Sequence, residues 1–199
     1  MLNAWHALEE NAVTDQPDDA TLVANAQRDP RAFAPLYARY VDAVYRYCYR
    51  RLGNRAEAED VTSAIFVRAL TSLSHYREGT FRGWLFTIAH HVVADNFRRA
   101  RPTRPLTNED DWVDPDPGPD AHVIAAQERS MLGAFLLQLP ADQRDVIELR
   151  LSGLRSAEVA QVVGRTPGAV RSLQHRAVVR LRELAEASIA PMEECRGRQ

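Results

Sequence analysis

The run PTRPLTNEDDWVDPDPGPD, residues 102–120, constrains the fold more than any other feature of the chain. It carries five of the eleven prolines in a sequence of 199 residues. Proline removes a backbone donor, and clustered acids bring no apolar area to bury. Such a stretch therefore favours extended backbone and builds no core of its own. The chain must fold on both sides of it. The expected organisation is an extension over residues 1–17, a first domain over 18–101, a linker over 102–120, a second domain over 121–187 and a tail over 188–199.

Charge follows the same division. The net charge is only −2 at pH 7, and every Lys or Arg is an Arg. Residues 30–104 hold thirteen Arg against six acids, residues 105–128 seven acids and no base, and residues 129–187 nine Arg against six acids. Two basic bodies around an acidic connector suit polyanion-binding modules; they also suit plain solvated faces. Glu109, Asp110, Asp111, Asp114 and Asp116 are expected to shield the basic domains in the free chain.

There is no apolar run on the order of 18 residues, so no membrane insertion is expected. The N-terminus lacks a basic-then-apolar signal pattern. Two cysteines, Cys48 and Cys195, make neither a disulfide framework nor a four-ligand zinc site. The composition fits a cytoplasmic protein with reduced thiols.

Apolar spacing predicts helices throughout, and no segment alternates as a strand. Phe33, Leu36, Tyr37, Tyr40, Val41, Val44, Tyr45, Cys48 and Leu52 form one stripe of a long helix that Gly53-Asn54 ends. Arg50 and Arg51 in its last turn complement the helix dipole. A second helix covers about residues 56–73, with Val61, Ile65, Phe66, Ala69, Leu70 and Leu73 expected inward, a third about 82–99, and a short one about 20–27 precedes them. Downstream, helices are expected over about 121–137, from Leu139-Pro140 to Gly153, and over SAEVAQVVG to Gly164. Thr166-Pro167 reads as an N-cap followed by proline at the first helical position. The fold class is all-α, two small helical domains joined by the acidic linker.

Residues 155–182 have helix-turn-helix spacing: a short helix, a tight glycine turn and a longer helix. On the longer helix Val170, Leu173, Ala177, Leu181 and Leu184 share one side, with Gly168, Arg171, Ser172 and His175 opposite. Residues 165–182 contain five Arg and no acid. Such a front suits a major groove, where Arg grips guanine bidentately and small residues permit close approach.

The first domain has a basic face of its own. Thr87, His90, His91, Ala94, Arg98 and Arg101 fall together on the third helix, opposite Leu85, Ala89, Val92 and Val93. Tyr76, Arg77 and Phe81 precede it. Arg with aromatics suits phosphates and unpaired bases, although Tyr76, Phe81 and Trp84 taken alone suit a core better than base stacking.

No Gly-rich phosphate loop, nucleophile elbow or metal-ligand cluster is present, so neither catalysis nor a cofactor is expected. His90, His91 and Asp95 come nearest to a ligand set, but adjacent histidines diverge by about 100° on a helix. Cys48 lies on the apolar stripe, and Cys195 has nothing near it to lower its pKa.

Four segments in this order carry a family resemblance: AFAPLYARYVDAVYRYCYRRLGN, AEDVTSAIFVRAL and FRGWLFTIAHHVVADNFRR in the first domain, and LPADQRDVIELRLSGLRSAEVAQVVGRTPGAVRSLQHRAVVRLREL in the second. Over residues 19–187 the chain resembles an extracytoplasmic-function (ECF) sigma factor of bacterial RNA polymerase. The resemblance implies a non-catalytic specificity subunit whose partners are core RNA polymerase, promoter DNA and an anti-sigma factor. The first domain is similar to sigma region 2. Its second helix, with Glu57, Asp60, Val61, Ser63, Ala64 and Val67, would dock on the polymerase clamp helices. The loop residues Tyr76, Arg77, Thr80 and Phe81 would read the −10 element. So would Thr87, His90, His91, Arg98, Arg99 and Arg101 on the third helix.

The second domain is similar to sigma region 4, which reads the −35 duplex. Its readers would be Arg155, Arg165, Thr166, Gly168 and Ala169, followed by Arg171, Ser172, His175 and Arg176. The acidic linker would thread toward the RNA exit path. This chain has Ser63-Ala64 where the family commonly has Gln-Glu, and His91 where it favours Asn. A stand-alone helix-turn-helix regulator with a helical sensing domain would show a similar second domain, but it needs no polymerase-binding face.

Overall fold

A computed structural model describes residues 17–77, 79–99 and 132–196, with side chains as far as residue 187. The expected linker with its six acids, the helix start near residue 121, Arg101 and Cys195 lie outside the described side chains. All regular structure among the described residues is helical.

Helix α1 spans Asp19–Arg28. Asp18 caps it, accepting the Thr21 N–H at 2.8 Å. A 3-10 turn, Pro30–Phe33, leads into α2, Ala34–Leu52. Gly53 ends α2 with φ +67°, a left-handed conformation that costs glycine no steric penalty. Asn54 then caps α3, Arg55–Ser72. After a short 3-10 turn, Leu73–His75, and a loop, α4 runs over Phe81–Arg99. These boundaries follow the expected ones to within about two residues, the usual fraying of helix ends.

The first core lies between α2, α3 and α4. Tyr47, Val44 and Leu36 of α2 are fully buried, as are Ile65 and Ala69 of α3 and Leu85, Phe86 and Val93 of α4. Tyr47 meets Phe86 edge to face at 5.6 Å, a favoured quadrupole arrangement. Cys48 is buried in the same stripe, and burial pushes its thiol up to about 11. Helix α1 is pinned across α2 by Asp19, which accepts from Arg39 Nη1 at 2.6 Å and from the Tyr40 hydroxyl.

The second body begins with a helical segment, α5, over residues 132–137. Helices α6, Ala141–Leu151, α7, Ser156–Val162, and α8, Pro167–Arg196, follow. Leu136, Leu139 and Ile147 pack on Ala177 of α8. Val159, Val162, Val170 and Leu173 close the α7–α8 corner. The two bodies are not separate in the way that a linker alone suggests. Val146, Leu149, Leu154 and Val159 belong to the same continuous buried cluster as the first core.

Candidate nucleic-acid interface

The helix-turn-helix forms as the spacing predicts. Gly164, at φ +63°, makes the turn after α7. The Arg165 N–H returns to the Ala160 carbonyl at 2.9 Å. Thr166 Oγ1 accepts the Ala169 N–H at 3.2 Å, and Pro167 opens α8. Val170, Leu173 and Ala177 anchor the helix on the body beneath, each at most 4% exposed. That anchoring turns Gly168, Arg171, Ser172, His175 and Arg176 outward, all exposed, with Ala169 half-buried. Arg165 and Thr166 are exposed at the turn. Arg155 is exposed as well, but it sits at the start of α7, a full helix away from this front.

The basic face of α4 also forms. Thr87, His90, His91, Ala94 and Arg98 share one wall of a cleft of about 620 Å³. Arg98 is held by Asp95, whose carboxyl that hydrogen bond keeps below the usual range. Asp95 thus orients an arginine of the face. His90 is half-buried, its Nδ1 3.2 Å from the Tyr47 hydroxyl, and burial lowers its pKa despite the opposing charge of Asp145. His91 and Arg99 are exposed, as are Arg77 and Thr80 in the preceding loop.

Two expected contacts are corrected. Phe81 is 1% exposed, packed among Tyr40, Tyr76 and Trp84 with ring separations of 5.3–6.2 Å. It shapes the loop from beneath and has no free face for a base. Tyr76 remains half-buried, and its hydroxyl donates to the Gly79 carbonyl at 2.8 Å. Val61 is 7% exposed, turned inward on α3 alongside Ile65 and Ala69, four residues apart on one helical face. Its neighbours Glu57, Asp60, Ser63 and Ala64 are exposed, and Val67 is 63% exposed. Leu70, expected inward, is instead 38% exposed and extends that surface by one turn.

Contacts that sequence reasoning did not find join the two bodies. Arg51 pairs with Asp145 of α6, and its Nε stands 3.4 Å from Glu148 Oε2. Arg50 donates to Ser152 Oγ at 2.8 Å. The two arginines thus serve the second body more than the end of their own helix. Arg82 donates to the Ser152 carbonyl at 3.0 Å, and Thr80 donates to Glu158. The one available signal was Glu148 itself, an acid at an inward position of DVIELRL.

Burial raises the Glu148 carboxyl from 4.5 to about 7, against the pull of Arg51, Arg50 and Arg144. The folded chain therefore holds this proton more tightly than the unfolded chain. The stability that the proton confers is present at low pH and is lost as pH rises through about 7. Glu148→Gln removes the titration. At pH 8 it is expected to raise stability by up to about 3 kcal/mol, with a much smaller gain at pH 5. Melting curves of the two proteins at both pH values check this; an equal difference at the two would contradict it.

Among the described residues no group of three or more His, Cys, Asp or Glu is arranged to hold a metal ion. No described helix is long and apolar enough to cross a membrane.

Known proteins match both bodies. A family model described as Sigma-70 region 2 matches residues 36–103, and one described as Sigma-70, region 4 matches residues 129–181. The ECF RNA polymerase sigma factor ShbA of Streptomyces griseus is 34% identical over 188 residues, covering 85% of this chain and 98% of ShbA. The ECF RNA polymerase sigma factor BldN of Streptomyces coelicolor is 38% identical over 169 residues, covering 82% of this chain; the chain spans 64% of BldN's length. The solved structure of CnrH, in complex with the cytosolic domain of CnrY, superposes with a TM-score of 0.67 at 28% identity. It covers 85% of this chain and 97% of CnrH. With two sigma-70 regions in the right order on an all-helical frame, the chain belongs to the ECF RNA polymerase sigma factors.

Proposed function

We propose that this chain is a dissociable specificity subunit that acts in the cytoplasm, carrying core RNA polymerase to promoters. It reads the −35 duplex with α8 and the −10 strand with α4. The observation that carries the reading is the α8 front: Arg171, Ser172, His175 and Arg176 exposed over a buried Val170–Leu173–Ala177 back. Phosphate contacts from the flanking arginines would fix register, and base contacts from the front would select sequence. The α4 wall, with Thr87, His91 and Arg98, supplies donors and charge for an unpaired strand. Melting then follows from binding the open strand better than the duplex, since a ligand shifts an equilibrium only through differential affinity. Polymerase supplies the chemistry.

The α3 surface around Asp60, Ser63, Ala64 and Val67 is the docking face for core polymerase. A further partner is an anti-sigma factor; in its solved structure the similar CnrH is held by a second protein, the cytosolic domain of CnrY. Gel filtration of the chain mixed with core polymerase tests the reading. Co-elution as a one-to-one complex is expected. A chain that ignores polymerase and binds duplex operators as a dimer would be a stand-alone regulator instead.

A further inference from the structure

An apolar patch lies where α2 meets α3. Tyr37 of α2, 46% exposed, meets the buried Phe66 of α3 edge to face at 4.7 Å. Leu70 stands one turn beyond Phe66 and three residues beyond Val67, so the exposed Leu70 and Val67 share a side of α3. Ala34 and Ala38, both exposed, neighbour Tyr37 on its own helix. Tyr37, Val67 and Leu70 thus make one continuous apolar surface on the first body. Contiguous apolar surface of this kind marks an interaction site.

The segment placed to cover it is the chain's own N-terminal extension. The chain enters the described fold at Pro17, whose carbonyl accepts from Arg39 Nη2 at 2.7 Å. Asp19 holds the same arginine, which fixes the point of entry. Arg39 and Tyr37 are two residues apart and point to opposite sides of α2, so the extension has one helix, about 10 Å across, to round. The nine residues from Leu8 to Pro17 span up to about 30 Å, and α2, with 19 residues, is about 28 Å long, so the whole patch is within reach.

The extension also has an apolar side of its own. At about 100° a residue, Leu2, Trp5, Leu8, Ala12 and Val13 fall within a sector of about 140°. Such steps are those by which an amphipathic segment lays its anchors on an apolar surface. Trp5 is the one Phe, Trp or Tyr among residues 1–16, and tryptophan is among the commonest anchors of a contact.

We propose that residues 2–13 seat on the Tyr37–Val67–Leu70 surface in the free chain, with Trp5 as the anchor, and that core RNA polymerase displaces them. The competition rests on the α3 surface being the docking face for polymerase. A tethered segment acts at an effective concentration on the order of millimolar, so an intrinsic affinity as weak as about 1 mM keeps it seated much of the time. A contact that weak lowers the affinity for polymerase only a few-fold, and polymerase at working concentration removes it.

The full chain is prepared with the photo-crosslinker benzoylphenylalanine in place of Trp5. It is irradiated alone and with excess core RNA polymerase, and peptide mass spectrometry reads the linked sites. In the free chain, links are expected within one chain, to the peptides that hold Tyr37, Val67 and Leu70, and polymerase should remove them. In a separate titration, Trp5→Glu in the full chain should bind core polymerase about fivefold more tightly than wild type, because it unseats the extension and leaves the docking surface intact. Links to other parts of the chain only, links between two chains, or no links at all overturn the seat, whatever the affinity for polymerase. Equal affinity of Trp5→Glu and wild type overturns the competition. Links to the patch that persist in the polymerase complex would instead remove α3 as the docking face, a failure of that reading in which the seat itself stands.

Discussion

Arg171→Ala combined with Arg176→Ala is expected to reduce −35 duplex binding by holoenzyme by at least about thirtyfold. Each base-contacting arginine is worth about 1–3 kcal/mol, and each tenfold loss corresponds to about 1.4 kcal/mol. Both side chains are exposed on α8, and the helix is anchored through Val170, Leu173 and Ala177 on its other side. The substitutions therefore remove contacts to DNA without opening the core, and the melting temperature should hold. The single variants separate two roles. An arginine that reads a base relaxes preference at one position, whereas one that touches phosphate weakens all sequences alike and lowers the salt dependence. Competition binding against a library of −35 duplexes distinguishes them. Unchanged binding in the double variant would remove α8 as the reader.

Val67→Asp should have a comparably large effect at the other face. Val67 is 63% exposed and makes little of the core, so the free chain should fold normally. In a complex with polymerase the new carboxylate would be desolvated against an apolar contact with no cation supplied for it. A penalty of about 3 kcal/mol corresponds to an affinity loss of roughly two orders of magnitude. Val61→Ala provides the contrast. Val61 is buried, so its truncation should lower stability while the surviving folded protein still binds core polymerase. Equilibrium titration of labelled chain with core polymerase measures both.

The helices and their ends were legible because their causes are local. The stripe from Leu36 to Leu52, the left-handed Gly53 and the Thr166-Pro167 start each act within one or two turns. The α8 front was legible for the same reason, since its back and front follow from 100° steps along one helix. The inward direction of Val61 was legible in the same way, from its spacing with Ile65 and Ala69, whereas Leu70 was expected inward and is 38% exposed, and the surroundings of Phe81 depend on how α4 meets α2. Taken alone, a loop aromatic here suits packing better than stacking, and Tyr40, Tyr76 and Trp84 do surround Phe81; the stacking role came with the resemblance.

The seam between the two bodies was the least legible part. Arg51 and Glu148 are 97 positions apart in the chain, and no periodicity links them. Arg50 and Arg51 had a sufficient local explanation as cations at a helix C-terminus, which concealed their partners on α6. The acidic connector between residues 102 and 120 suggested two independent bodies. It marks where a core stops, but it says nothing of whether the bodies on either side touch.

Run-off transcription is the most direct measurement. Purified chain is added to core RNA polymerase on fragments of its own genome, and transcript starts are mapped. Transcripts should begin at a small set of defined positions that share spaced upstream elements, and they should vanish when the chain is omitted. Starts that are the same with and without the chain would contradict the assignment of this protein as a promoter-reading subunit.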